Sequence, residues 1–313
     1  MRFILSLIAL TIMSPLVVMS PLVVMSQSAL ALEAQKVTDG VYALVGEHDQ
    51  RSPENLGNNA TFGVVITKDG VVLIDSGGSW KGAADIDKAI SGLTDKPVKI
   101  VINSGGQDHR WIGNGYWKAK GAKIIASQAA VADHKDRGSL QMTGLDVLLG
   151  KELDGTEPVY ADTTFETGHK FSFGGLAFDI HHVGQAHTPG DSFIWLKQKN
   201  VMFSGDIVYV ERILGVGPQS HSGEWIKTFT AMAAFNPAHI VPGHGHATTL
   251  AKASAQTLDY LVHLRKKMAV HIEDGGDMIG SVKIDQSKFS DLKQFEALAK
   301  RNAQQVYAEM EFE

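Results

Sequence analysis

Cysteine is absent from the 313-residue chain. That excludes a disulfide framework, a thiolate metal site and a cysteine nucleophile. Any metal must be held by His, Asp or Glu, donors that favour zinc, iron or manganese. Proline is scarce, with 9 residues against 32 glycines, and 44% of the chain is hydrophobic. This is a globular composition with many tight turns, neither disordered nor fibrous. Neither charge sign dominates: 29 Lys and Arg face 34 Asp and Glu, a formal net charge of -5. Such a balance gives no footing for nucleic acid or an anionic membrane. Past the first 31 residues no run is apolar enough to cross a bilayer.

Residues 1–31 read as a leader and not as part of the fold. Arg2 supplies the positive start, Phe3–Met25 is almost wholly apolar, and Ala29-Leu30-Ala31 is a small-residue cleavage signal. The mature chain is expected to begin near Leu32, in the periplasm or outside the cell. A tandem repeat, Ser14–Met19 recurring as Ser20–Met25, lengthens the apolar stretch. Uncleaved, it would be long enough for a membrane anchor, since about 20 apolar residues span a bilayer.

Residues 32–313 read as one α/β domain. Strands are expected at 41–45, 61–66 and 71–75, with Lys68-Asp69-Gly70 as the hairpin turn. Further strands fall at 98–102, 124–125, 171–173, 176–182, 192–196 and 200–203. Helices are expected at 81–95, 115–120, 126–136, 139–149, 223–235, 248–273 and 289–311. In the helix at 248–273, Leu258, Leu261, Val262, Met268 and Ile272 form the candidate buried stripe. Strands with intervening helices and no Pro/Ser linker point to two sheets with helices outside them.

Three turns follow hydrophobic strand-like runs: Ala186-His187-Thr188-Pro189-Gly190-Asp191, Ser204-Gly205-Asp206 and Val241-Pro242-Gly243-His244-Gly245. His187, Asp206 and His244 are thus candidates to converge on one cation. An earlier turn reads Asn103-Ser104-Gly105-Gly106-Gln107-Asp108-His109-Arg110, where only Asp108 and His109 look like ligands. Together with Leu73-Ile74-Asp75-Ser76-Gly77, these motifs resemble the metallo-β-lactamase superfamily over most of residues 36–250. The resemblance implies an αββα sandwich of two mixed β-sheets flanked by helices, with a metal site at one sheet edge.

Members of that family carry Asn-Thr-His-x-His-x-Asp-His at the early turn, and this chain departs from it. A gapless register puts Gly105, Gln107, His109 and Arg110 at the four ligand positions. A register shifted by one keeps Asp108-His109 as the Asp-His pair and puts Ser104 and Gly106 where the first two histidines belong. The shifted register leaves a set of Asp108, His109, Asp206 and His244, four N/O donors hard enough for zinc or iron. One zinc ion is the leading expectation, with iron as the alternative. A dinuclear centre with unorthodox ligands and a relic without metal remain open. Asp108 is then a ligand or, swung off the metal, the base that orients the attacking water. Arg110 either pairs with a substrate carboxylate through its planar fork or makes a surface ion pair. The resemblance implies that Asp75 is structural support that orients a ligand histidine. His48, His181, His182, Tyr209, His221, Trp225 and His246 are candidates by position only.

The expected activity is hydrolysis of a small-molecule ester, lactone, thioester or amide by a metal-activated water. β-Lactam hydrolysis is disfavoured by the missing first-site histidines. The alternatives are a mononuclear-iron sulfur or persulfide oxidoreductase and a non-catalytic periplasmic binding or accessory protein.

Overall fold

The apolar runs Val71–Ile74 and Val201–Tyr209 are buried along their whole length. Strands of that kind belong to sheets covered on both faces. The structure, a computed structural model, describes residues 32–313, so the leader lies outside the described residues. Seven strands form the first sheet in sequence order: β1 (Glu33–Thr38), β2 (Val41–Val45), β3 (Thr61–Ile66), β4 (Val71–Ile74), β5 (Val98–Ile102), β6 (Lys123–Ser127) and β7 (Thr163–Phe165). The pairs from β1 to β4 are antiparallel, and those from β4 to β7 are parallel. The second sheet runs β12 (His239–His244), β11 (Val201–Tyr209), β10 (Phe193–Leu196), β9 (Leu176–His181), β8 (Gly168–Phe173). Only its β11–β12 pair is parallel.

The sheets face each other across one apolar layer, with Val65, Val72, Ile74 and Ile102 from the first meeting Ile180, Ile194, Leu196 and Phe203 from the second. Gly63 makes room there, since a Cβ would collide with the Phe203 ring. The outer face of the first sheet buries Leu44, Phe62 and Leu73 against α1 (Trp80–Ser91) and α3 (Asn114–Ala119) through Ile86, Ile90 and Trp117. Between them comes α2, a single turn at Asp108–Trp111. On the outer face of the second sheet, Met202 and Phe193 pack among Phe229 and Met232 of α5 (Ser222–Ala233), Leu264 and Met268 of α7 (Asp259–Glu273) and Val306 of α9 (Phe295–Met310). Short helices α6 (Leu250–Ala253) and α8 (Met278–Ser281) join these layers. The order helix, sheet, sheet, helix is the expected αββα sandwich.

Four expected elements differ, the first being the strand expected at 200–203, which runs to Tyr209 and so carries Asp206 within β11 and not in a turn past its end. The helices expected at 126–136 and 139–149 are one helix, α4 (Gln128–Leu149), with residues 126–127 ending β6; Gly138 within it lies against the Trp111 ring, where a Cβ would be 3.2 Å from it. Within α4, Leu145 and Leu149 are buried but Leu140, Val147 and Leu148 face solvent. In α7 Leu261 and Met268 are buried, whereas Val262 is exposed. The helix expected over 248–273 contains a π-helical turn at Ser254–Leu258. It presents Thr257 Oγ1 to the end of β11, where the hydroxyl donates to the Tyr209 carbonyl (2.6 Å) and accepts from the Tyr209 amide (3.0 Å). The last helix begins at Phe295, six residues later than the apolar pattern suggests.

Candidate metal centre

The loop after β5 is folded by its own side chains. Asn103 Nδ2 donates to the Arg110 carbonyl (2.7 Å) and to Asn114 Oδ1 (2.9 Å), tying both ends together. Asp75, just past β4, sits at φ 70°, a conformation uncommon for residues other than glycine. Its carboxylate accepts from the Ser104 amide (2.7 Å) and hydroxyl (2.9 Å). With the loop pinned, α2 starts at Asp108, and successive side chains point about 100° apart around the turn. His109 turns toward the ends of β11 and β12, and Arg110 turns into the protein.

His109 Nε2 lies 3.4 Å from Asp206 Oδ2, and His244 Nε2 lies 3.2 Å from Asp206 Oδ1. Each of His109, Asp206 and His244 offers a donor atom within 4.8 Å of the others, and all three are buried. His109 Nε2 and His244 Nδ1 are buried without a hydrogen-bond partner. Buried polar atoms are almost always satisfied, so an orphaned imidazole nitrogen aimed at a carboxylate is what a cation site leaves behind. Two nitrogens and one oxygen match the three protein ligands of catalytic zinc, with a position left open. The residues fit a single ion.

The trio is held from behind. Tyr209 stacks on the His244 ring, centroids 4.4 Å apart. Asp206 accepts two bonds from Arg110, Nη2 to Oδ1 (2.7 Å) and Nε to Oδ2 (3.1 Å). Burial works to raise the Asp206 carboxyl, but Arg110 and the two histidines outweigh it and hold the group well below the usual range. Burial pushes His244 well below the usual imidazole range, so it is neutral and able to ligate.

Arg110 is not placed as either sequence reading had it. It is 0% exposed, so it makes neither a substrate contact nor a surface ion pair. Its remaining donors reach Asp75 Oδ2 (2.8 Å) and the carbonyls of Thr61 (3.1 Å) and Gly243 (2.8 Å). Asp108 stands outside the trio. Arg51 grips its Oδ1 through Nε (2.9 Å) and Nη2 (2.5 Å), and that oxygen lies 3.2 Å from His109 Nδ1. Burial raises Asp108, yet Arg51 and His109 outweigh it and hold it far below the carboxylate range. So held, it is a poor base; the side chain hydrogen-bonded to His109 Nδ1 is Arg51, through Nη2 (3.1 Å), and Asp108 Oδ1 accepts from the His109 backbone amide (2.7 Å).

His187 faces the same cavity but lies outside the trio. Its Nδ1 is 2.9 Å from the Gly215 carbonyl and its Nε2 is 3.3 Å from Gln107 Oε1. Burial pulls its pKa down to about 4, so the imidazole is neutral at pH 7. The departure from the family's histidine pattern has a steric counterpart. A Cβ at Gly105 would collide with Asp191 Oδ1, and one at Gly106 with Asp133 Oδ2. In either register one first-site position is thus filled by a buried Asp side chain, Gly105 in the gapless register and Gly106 in the shifted one. Asp191, raised by burial to about 8, is held by the Thr188 amide and hydroxyl.

The other positional candidates divide. Tyr209 lines the cavity. Trp225 is buried with its Nε1 on the Ile207 carbonyl, and His221 caps α5. His181 packs on the Phe193 ring, and His182 Nδ1 bonds the Asp191 carbonyl. His48 and His246 both meet Glu211 Oε2, at 3.1 and 2.7 Å, in a separate cluster that Lys252 completes. The cavity holds three residues that no motif announced: Arg51, Arg212 and Arg301. The only signal for Arg212 was a charged pair, Glu211-Arg212, directly after the apolar run that carries Asp206.

A four-layer sandwich with a buried His and Asp cluster at one edge, His109 on α2, Asp206 within β11 and His244 at the end of β12, defines a class of protein. The model of the Metallo-beta-lactamase superfamily matches residues 56–244, and the chain belongs to that family. It is 23% identical over 222 residues to the metallo-beta-lactamase type 2 of Elizabethkingia meningoseptica, covering 70% of this chain and 80% of that one. A metallo-beta-lactamase from Pontibacter korlensis superposes with a TM-score of 0.60 at 19% identity, over 74% of this chain and 99% of that chain. The inverting sec-alkylsulfatase Pisa1 from Pseudomonas sp. superposes with a TM-score of 0.68 at 15% identity, over 89% of this chain and 50% of that one. At such identities the likeness speaks for the fold.

Proposed function

We propose that this protein is an exported hydrolase with one metal ion, held by His109, Asp206 and His244, and that it cleaves a small-molecule ester, lactone, thioester or amide. The observation that carries the reading is the buried trio with its orphaned His109 nitrogen. When bound there, zinc or a similar ion polarises a carbonyl and lowers the pKa of water toward neutrality. Arg110 keeps the Asp206 carboxylate charged and fixed in direction. The Asp108–Arg51 pair sets the orientation of the His109 ring, both meeting its Nδ1, at 3.2 and 3.1 Å. His187, neutral and facing the cavity, is placed to accept a hydrogen bond from a water or to hold the substrate across from the trio. The apolar leader supports export.

The test is elemental analysis of the mature chain purified without chelator, with N-terminal sequencing expected to start near Leu32. About one ion per chain is expected, lost in His109→Ala and in His244→Ala. Asp108→Asn should keep the ion with affinity reduced about 10–100-fold, the cost typical of losing an outer hydrogen-bond partner of a ligand. A wild type without tightly held metal would sink the proposal and favour a binding or accessory role.

A further inference from the structure

Apart from the trio, His48, Glu211 and His246 each offer a donor atom within 4.8 Å of the others. Both imidazoles converge on the same carboxylate oxygen. Glu211 Oε2 lies 3.1 Å from His48 Nε2 and 2.7 Å from His246 Nδ1, while Lys252 takes Oε1 at 2.7 Å. Burial works to raise the Glu211 carboxyl, but its bonds to His246 and Lys252 outweigh it and bring the pKa down to about 2. The carboxylate is therefore charged at neutral pH.

These atoms are spaced for an ion. Tetrahedral zinc with bonds of about 2.0–2.1 Å sets its ligand atoms about 3.3 Å apart, close to the His48 spacing and a small rotation beyond the His246 one. Behind His246, Glu33 Oε2 meets the other ring nitrogen, Nε2, at 3.2 Å. A carboxylate in that place fixes the tautomer of a metal-bound histidine, here leaving Nδ1 free to ligate. Glu211 is held at φ 66°, where its amide donates to Gln256 Oε1 (2.8 Å) and its carbonyl accepts from the Lys293 amide (2.9 Å). Backbone strain of this kind persists only where surrounding contacts impose it. Beside the cluster, a cavity of about 330 Å³ is lined by Glu33, Glu47, Asp85, His48 and His246, with no Lys or Arg among its described walls. A lining of one charge sign raises the local concentration of the opposite ion.

We propose that His48, Glu211 and His246 form a second divalent-cation site, structural in role, that takes zinc more weakly than the trio. The three residues lie in the loop after β2, just past β11 and just past β12. Each segment leads directly to the trio. His48 precedes Arg51, the partner of Asp108, by three residues; Glu211 follows Asp206 by five, and His246 follows His244 by two. An ion here staples the Arg51 loop to both strand ends. The cluster is partly exposed and shares its carboxylate with Lys252, so it releases its ion on desalting while the buried trio keeps its own.

The experiment is calorimetric titration of the desalted mature chain with zinc chloride, with the metal already bound counted on the same samples. Wild type is expected to take up one further zinc saturably, and its melting temperature to rise as the ion binds. His48→Ala should weaken that uptake by at least the roughly 10–100-fold that losing even an outer partner of a ligand costs, with the metal content after desalting unchanged. His109→Ala should do the reverse, losing the tightly held ion and keeping the weaker one. No further uptake by wild type, or uptake of equal strength in His48→Ala, would overturn the assignment. Because the two variants separate the two ions, a trio that holds no metal leaves this site standing, and the converse also holds.

Discussion

Arg110 and Arg212 show how far two residues of one type can diverge within the same site. Arg110 satisfies its donors on two carboxylates and two carbonyls, and it acts on the chemistry by fixing Asp206. Arg212 is nearly as buried but keeps donors free beside the cavity. Removing one partner of a buried ion pair leaves uncompensated charge and costs about 3–5 kcal/mol. Arg110→Met is therefore expected to lose about that much stability in urea denaturation with chelator present, since Asp75 and Asp206 would both be stranded. A loss below about 0.5 kcal/mol, the range of ordinary surface substitutions, would mean that Arg110 is solvent-paired after all. At this scale the sequence was ambiguous for a physical reason. His109 and Arg110 are adjacent, and only the phase of the single-turn helix α2 decides which of them meets Asp206 through a ligand atom and which through a guanidinium.

The elements around the site work as mutually braced turns. The loop after β5 carries Gly105 and Gly106 where carboxylates from the Asp191 turn and from α4 press in. Rewriting it toward the family pattern with Gly105→His and Gln107→His should not create a second metal site. The double variant is expected to bind no more than one ion per chain, and to melt well below wild type because a side chain at position 105 has no space. Two ions per chain in elemental analysis would show that the loop relaxes to admit them. Opposite this loop, the π-helical turn at Ser254–Leu258 delivers Thr257 to the Tyr209 backbone, and Tyr209 in turn stacks on His244. Single π turns inside α-helices often mark functional positions, and this one braces His244 of the trio through Thr257 and Tyr209.

For the molecule as a whole, the family match ends at residue 244, while the second sheet depends on helices beyond that point for its outer cover. Tyr260, Leu264 and Met268 of α7 and Val306 of α9 are each 0% exposed and pack with Trp225, Phe229 and Met232. The same C-terminal helices wall the cavity: Asn302 Oδ1 accepts from the Val216 amide (2.8 Å), fixing the loop that carries Gly215 and Gln219. A chain truncated after residue 249 would expose several large apolar side chains, each worth about 1.5–3 kcal/mol of burial, against a typical total stability of about 5–15 kcal/mol. It is expected to give no cooperative thermal transition. A truncated chain that melts cooperatively near the wild-type temperature would show that α6 to α9 are an appendage.

The sandwich, most of its strands and helices, and the candidacy of His109, His187, Asp206 and His244 were legible in the sequence, but strands β1 and β7 were not. Alternating apolar runs and glycine-bearing turns are local signals, and the His and Asp residues beside them are local too. What the tertiary structure decided was which of those residues meet. Asp108 went to Arg51, from a loop 57 positions earlier in the chain. Arg110 went to Asp206 across 96 positions, and a carboxylate 86 positions past Gly105 filled the space of a missing ligand. Arg212 and Arg301 reached one cavity from a strand end and a C-terminal helix. Nothing in the local pattern encodes such pairings, because burial, charge and free space at each residue are set by elements distant in sequence.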